Sequence, residues 1–144
     1  MNNLNILNRA ARSTVVLSLA ALPVLGFVGA SSAEPSAAAA SLSGSWSGGG
    51  WVSFSNGSKE KARCHASYSG GGAAYTVTAT CATASGKASQ TAKVYRVSGS
   101  SYKGSFYNRD YNVRGSIRVH VNGKSQSVSL SGDGTSAQLN PKRR

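Results

Sequence analysis

The stretch VRGSIRVHVNGKSQSVSLSGDGTSAQL, residues 113–139, decides the fold. Val113, Ile117, Val119, Val121, Val128 and Leu130 fall on alternate positions of two runs, broken only at Asn122-Gly123 and Asp133-Gly134. Successive side chains of an extended strand point to opposite faces, so this is the pattern of strands with one buried face. Asn-Gly and Asp-Gly favour two-residue type I′ turns, whose central residues both take positive φ. The segment therefore predicts three strands joined by two tight hairpins. The first sets Val121 opposite Lys124, Val119 opposite Gln126, Ile117 opposite Val128 and Gly115 opposite Leu130. The second sets Leu130 opposite Ala137 and Val128 opposite Leu139.

The same period of two extends back to Ser45, with breaks at Asn56-Gly57, Gly70-Gly71-Gly72 and Ser98-Gly99. Eight strands are predicted, at 45–55, 59–69, 74–82, 89–97, 101–107, 112–121, 124–131 and 135–140. A three-residue loop, 56–58, pairs Val52 with Ala62, since a two-residue loop would set Val52 against Lys61. Tyr68 is expected opposite Val77, Val94 opposite Gly104 and Phe106 opposite Val113. The inward set is then Trp46, Val52, Phe54, Tyr68, Tyr75, Val77, Val94, Tyr102, Phe106, Val113, Ile117, Val119, Val128, Leu130 and Leu139. Small residues point inward between them, among them Gly48, Gly50, Ala62, Ala66, Ala79, Ala92, Gly104 and Gly115. Consecutive antiparallel strands with one apolar face close most simply into an all-β up-and-down barrel, which removes exposed edges; a flattened two-sheet sandwich is the alternative. Strand glycines permit the sharp coiling of a small barrel or leave room for a ligand.

The register expected for the second and third strands brings Cys64 directly opposite Cys81, within reach of a disulfide. Metal binding by these thiols with His65 and His120 fits poorly, because His65 adjoins Cys64 and points to the opposite face. No Cys-x-x-Cys spacing suggests redox catalysis.

Residues 1–33 read as a cleaved export signal. Arg9 and Arg12 precede an apolar run from Thr14 to Ala30, and Ser31-Ser32-Ala33 supplies a small-residue exit, with Ala30 as the other cleavage point. Periplasmic or secreted location follows, and so does an oxidising compartment that keeps a disulfide. Pro23 and the small-residue exit argue against a retained anchor, so the mature protein is expected to have no transmembrane span. Residues 34–43 form a loose Ala-rich arm, 44–140 the barrel domain and 141–144 a basic tail. Beyond the signal stand 14 Lys and Arg against four acids, a charge of about +10. Such a field favours polyanions. Outside the cytoplasm these are anionic envelope polysaccharide, lipid head groups or acidic proteins more than nucleic acid.

Catalysis is not expected, and no cofactor is. Glu60, Asp110 and Asp133 sit in or beside turns, and both histidines point outward with no acid near in sequence to orient them. The outer face of the fourth to sixth strands is more informative. Lys93, Lys103, Arg114 and Arg118 share it with Tyr95 and Tyr107 and with no acid, a composition suited to sulfate, phosphate or carboxylate polymers. The chain thus reads as an exported, monomeric, non-catalytic binding module.

Gly44-Ser45-Trp46 resembles the Gly-x-Trp entry of lipocalins and avidins. That resemblance implies an eight-stranded barrel whose Trp closes one end, and hence a small-ligand-binding alternative. Leu42-Ser43-Gly44-Ser45-Trp46 after an Ala-rich arm, with one disulfide, also resembles periplasmic metalloprotease inhibitors of Gram-negative bacteria. There residues 34–41 would act as the inhibitory arm. In overall texture, residues 44–139 resemble small exported bacterial β-proteins.

Overall fold

A computed structural model describes residues 41–144. The proposed signal, residues 1–33, and most of the arm, residues 34–40, lie outside the described residues. Eight strands, β1 (Gly44–Ser53), β2 (Lys59–Gly71), β3 (Ala74–Thr83), β4 (Gly86–Arg96), β5 (Ser101–Asn108), β6 (Val113–Asn122), β7 (Ser125–Gly132) and β8 (Thr135–Arg143), pair antiparallel in sequence order. β1 also pairs with β8, so the sheet closes into a barrel and not into a sandwich.

The predicted registers of β2 with β3, β4 with β5 and β7 with β8 are those observed. Three others differ, each by a slip of two residues. Val52 faces Glu60 and not Ala62, because the β1–β2 loop runs over residues 54–58 and takes Phe54 out of the strand. The Phe54 N–H donates to Ser58 O and the Gly57 N–H to Phe54 O, while Asn56 Oδ1 accepts from Ser58.

Val121 faces Gln126 and not Lys124; Val119 faces Val128 and Ile117 faces Leu130. The central turn residues are Gly123 and Lys124, and of these only Gly123 has positive φ, the type II′ pattern. Phe106 faces Gly115 and not Val113. Here Asn108 Oδ1 accepts from the backbone N–H groups of Asp110 and Tyr111 and holds residues 109–112 as a loop. A slip of two leaves every residue on its expected face.

The predicted basic tail is a strand end. Pro141 is buried opposite Gly48, and pairing with β7 lapses there because proline has no N–H to donate. Arg143 lies over the Trp46 ring at 4.4 Å and donates to the carbonyls of Ser41 and Ser43. The end of the expected loose arm is docked as well. Leu42 is fully buried, and its carbonyl accepts from Trp46 Nε1 at 2.9 Å.

The inner side chains differ in size from one end to the other. One end is packed with aromatics, where Trp46 meets Tyr68 and Tyr75 meets Tyr102 edge to face. Here the Tyr68 hydroxyl donates to Gln126 Oε1 at 3.1 Å, and Gln126 Nε2 is buried without a partner among the described residues. Burial pushes the Tyr68 phenol above its ordinary range, outweighing the opposing pull of the Gln126 bond. The folded state therefore holds this proton more tightly than the unfolded one. That contribution is complete below the unfolded value, about 10, and is lost as pH rises toward the folded one. Tyr68→Phe is expected to cost about 1–3 kcal/mol at neutral pH, by stranding Gln126 Oε1. It should also flatten the decline of stability above about pH 10. Urea titrations across pH check both signs.

Candidate functional site

The other end of the barrel is a cup of about 320 Å³. Its floor and walls come from Cys64 on β2, Cys81 on β3, Ala88 on β4, Phe106 on β5, Leu130 on β7 and Leu139 on β8. The Cys64–Cys81 disulfide is formed, as the register predicts, and it belongs to this wall. A smaller space of about 40 Å³ shares several of these residues and reaches Trp46 and Tyr68. Val52, Phe54 and Val113, expected in the core, face the cup and are only half-buried.

Polar groups on the wall include Gln90, Asn108 and Thr83. Gln90 Nε2 donates to Cys81 Sγ at 3.6 Å. Tyr111, more than half exposed, leans over the mouth from the β5–β6 loop, and its hydroxyl lies 3.5 Å from where a Cβ on Gly86 would stand. The inward glycines Gly48, Gly50, Gly104 and Gly115 do not line the cup. A Cβ on Gly50, Gly104 or Gly115 would fall within about 2 Å of a neighbouring strand's carbonyl, so these glycines serve close backbone approach.

All three described acids stand at the mouth end. Glu60 accepts from the Ser85 N–H and hydroxyl and ties the start of β2 to the β3–β4 turn. The Ser85 hydroxyl, then that of Thr83, hold its carboxyl below the usual range. Asp110 accepts from the Ser89 N–H, just beyond the last β4–β5 pair. Asp133 sits at positive φ in the β7–β8 turn and lines the cup. Glu60 and Asp110 thus brace the rim.

The six residues expected on the outer face are all on it. Lys93, Lys103, Arg114, Arg118 and Tyr95 are exposed and Tyr107 is half-buried. The slipped β5–β6 register sets Lys103 directly opposite Arg118, and Tyr107 opposite Arg114, whose guanidinium stacks on the ring at 4.4 Å. Like charges directly opposite destabilise a sheet. The side chains of Lys93, Lys103 and Arg118 have no hydrogen-bond or ion-pair partner among the described residues.

No family model and no curated protein matches the chain. Among solved structures it is similar to a de novo designed fluorescence-activating β-barrel. The TM-score is 0.57 at 16% identity, covering 74% of this chain and 97% of that one. It is also similar to the redesigned barrel mFAP1 bound to DFHBI, at TM-score 0.59 and 8% identity, covering 72% of this chain and 94% of that one. A second redesigned barrel gives TM-score 0.58 at 14% identity, covering 74% of this chain and 95% of that one. At these identities the likeness is one of fold: a closed antiparallel barrel.

The sequence placed the outer-face residues but not the cup. Its signal was the size of inward residues at the open end, where Cys64, Cys81, Ala88 and Ala137 stand in place of the aromatics of the closed end.

Proposed function

We propose that this is an exported, non-catalytic binding protein whose cup takes a small, largely apolar ligand. The observation that carries this is the barrel's asymmetry: one end is filled, the other hollow over about 320 Å³, near the lower bound for ligand pockets of about 300 Å³. Apolar walls supply most of the affinity there, and Gln90 and Asn108 supply orientation. One similar designed barrel is fluorescence-activating and another is bound to DFHBI, so the architecture accommodates a small molecule. Export rests on residues 1–33 and agrees with the disulfide, since such bonds persist in oxidising compartments.

The neutral fluorophore N-phenylnaphthylamine is a suitable probe. Mature protein should enhance its emission saturably at one site. Ala137→Trp and Ala88→Phe, which fill the cup, should each weaken binding about tenfold or more, the effect of losing about 1.4 kcal/mol. Thermal unfolding identifies any variant that fails to fold. Unsaturable binding, or affinity unchanged in both folded variants, would overturn the proposal.

A further inference from the structure

The observed registers, followed strand to strand around the outside, assemble rows that no single hairpin reveals. One row runs Tyr95, Lys103, Arg118, Ser129, Gln138, Trp51, Lys61, each residue directly opposite the next from β4 round to β2. The row beside it, two residues along each strand, runs Lys93, Ser105, Ser116, Ser131, Ser136, Ser53, Lys59. Five serines stand in register between two lysines.

The fold does not require this. Serine brings a strand neither β-branching nor packing area. These five hydroxyls make no hydrogen bond among the described residues. Beside the serines stand the longer side chains of Lys103, Arg118, Gln138 and Trp51, so the serine row is a low step against a taller ridge. Both ends are cationic, and Lys59 and Lys61 also lie 5.2 Å and 5.6 Å from the Trp51 ring centre.

We infer that this girdle binds a linear acidic polysaccharide laid across the strands. The serine hydroxyls match sugar hydroxyls, both donating and accepting, and Gln138, whose Oε1 accepts from Ser129 Oγ at 2.8 Å, offers its Nε2 as a donor. The cations at either end match carboxylate or sulfate groups. The exposed faces of Trp51 and Tyr95 offer apolar platforms for sugar rings. Curvature selects among polyanions. The rows cross seven of the eight strands, and a flat lipid surface meets a convex barrel along only part of such an arc, whereas a flexible chain follows it. With strands about 4.8 Å apart, the arc is roughly 29 Å at the backbone, enough for several sugar rings.

The test uses mature protein and polygalacturonate at physiological salt, with neutral dextran and phosphatidylglycerol vesicles as comparisons. Lys103→Ser with Arg118→Ser should weaken polygalacturonate binding about tenfold or more, as expected for lost charge-assisted bonds. Lys87→Ser with Lys124→Ser removes the same charge away from the girdle and should leave affinity within about twofold. Ser116→Val with Ser131→Val keeps the charge and strengthens the strands, and it too should weaken binding. Polygalacturonate should shift the emission of exposed Trp51, a shift that Trp51→Phe removes while leaving buried Trp46 as reference. The inference is overturned if the two charge pairs lose affinity equally, if the serine pair has no effect, or if vesicles of equal charge or dextran bind as well. Ala137→Trp, which blocks the cup, should leave polygalacturonate binding unchanged, so failure of the cup proposal and failure of this one are separable.

Discussion

Gly104→Ala is expected to cost about 3 kcal/mol, because at this position of β5 there is no space even for a methyl group. An added Cβ would lie 1.7 Å from Lys93 O and 2.9 Å from Val94 Cα, both on β4. Neither atom belongs to a flexible side chain, so relief requires β4 and β5 to part. Parting them breaks backbone hydrogen bonds along a pair that also holds Val94, among the most deeply buried residues of the core. A Cβ added to Gly50 would lie 1.9 Å from Gln138 O where β1 closes on β8, so Gly50→Ala should open the seam of the barrel. Gly99→Ala is the control, since nothing lies within 4 Å of its added Cβ and the residue is in an exposed loop. It should be neutral or gain up to about 1 kcal/mol from a stiffer unfolded chain. Urea unfolding followed by near-ultraviolet circular dichroism separates the three. A Gly104→Ala variant within about 1 kcal/mol of wild type would mean that β5 is not as close to β4 as described.

What was legible in the sequence follows from the period of two. Facing is a matter of parity, and parity survives a slip of two residues, so the inward set and the outer basic face are found even where three hairpin registers differ. Loop length is the weak link. Asn122-Gly123 fits a type I′ turn as well as Gly123-Lys124 fits type II′, and nothing local chooses between them. The choice is made across the barrel, where Gln126 lands at the closed end against the Tyr68 hydroxyl, a contact between residues 58 apart. Arg143 was unreadable for the same reason. In sequence it belongs to a basic cluster that looks solvated, yet its guanidinium closes over Trp46 and holds carbonyls about a hundred residues earlier.

The cup and the girdle are illegible for different reasons. The cup needs to be known as one end, which requires sorting the inward residues by height as well as by face. The serine row needs every register to be right at once. A single slip would set Arg118 against Ser127 and break the line of five serines. Local patterns specify faces, and only closure of the barrel specifies neighbours.

Replacing both Cys64 and Cys81 by alanine should have the other large effect, and it should reach the cup as well as stability. The bond joins residues 17 apart, and in the chain-entropy model freeing such a loop destabilises by about 3 kcal/mol. Typical small domains have only about 5–15 kcal/mol in total. One end of this barrel's core is hollow. Unlike Gly104→Ala, the double variant keeps all backbone pairing, so its loss should appear as a lower urea midpoint with a slope equal to or steeper than wild type, since the uncrosslinked unfolded chain is less compact. Reduction of the wild type should give the same midpoint. Because both sulfurs line the cup and Gln90 Nε2 donates to one of them, the variant widens the cup and frees the Gln90 amide. N-phenylnaphthylamine affinity should therefore fall in folded protein, while polygalacturonate affinity on the outer wall stays level. A stability loss of under about 1 kcal/mol would mean that β2 and β3 hold their register by pairing alone. An equal fall in both affinities would mean that the bond acts on the whole barrel and not on the end it lines.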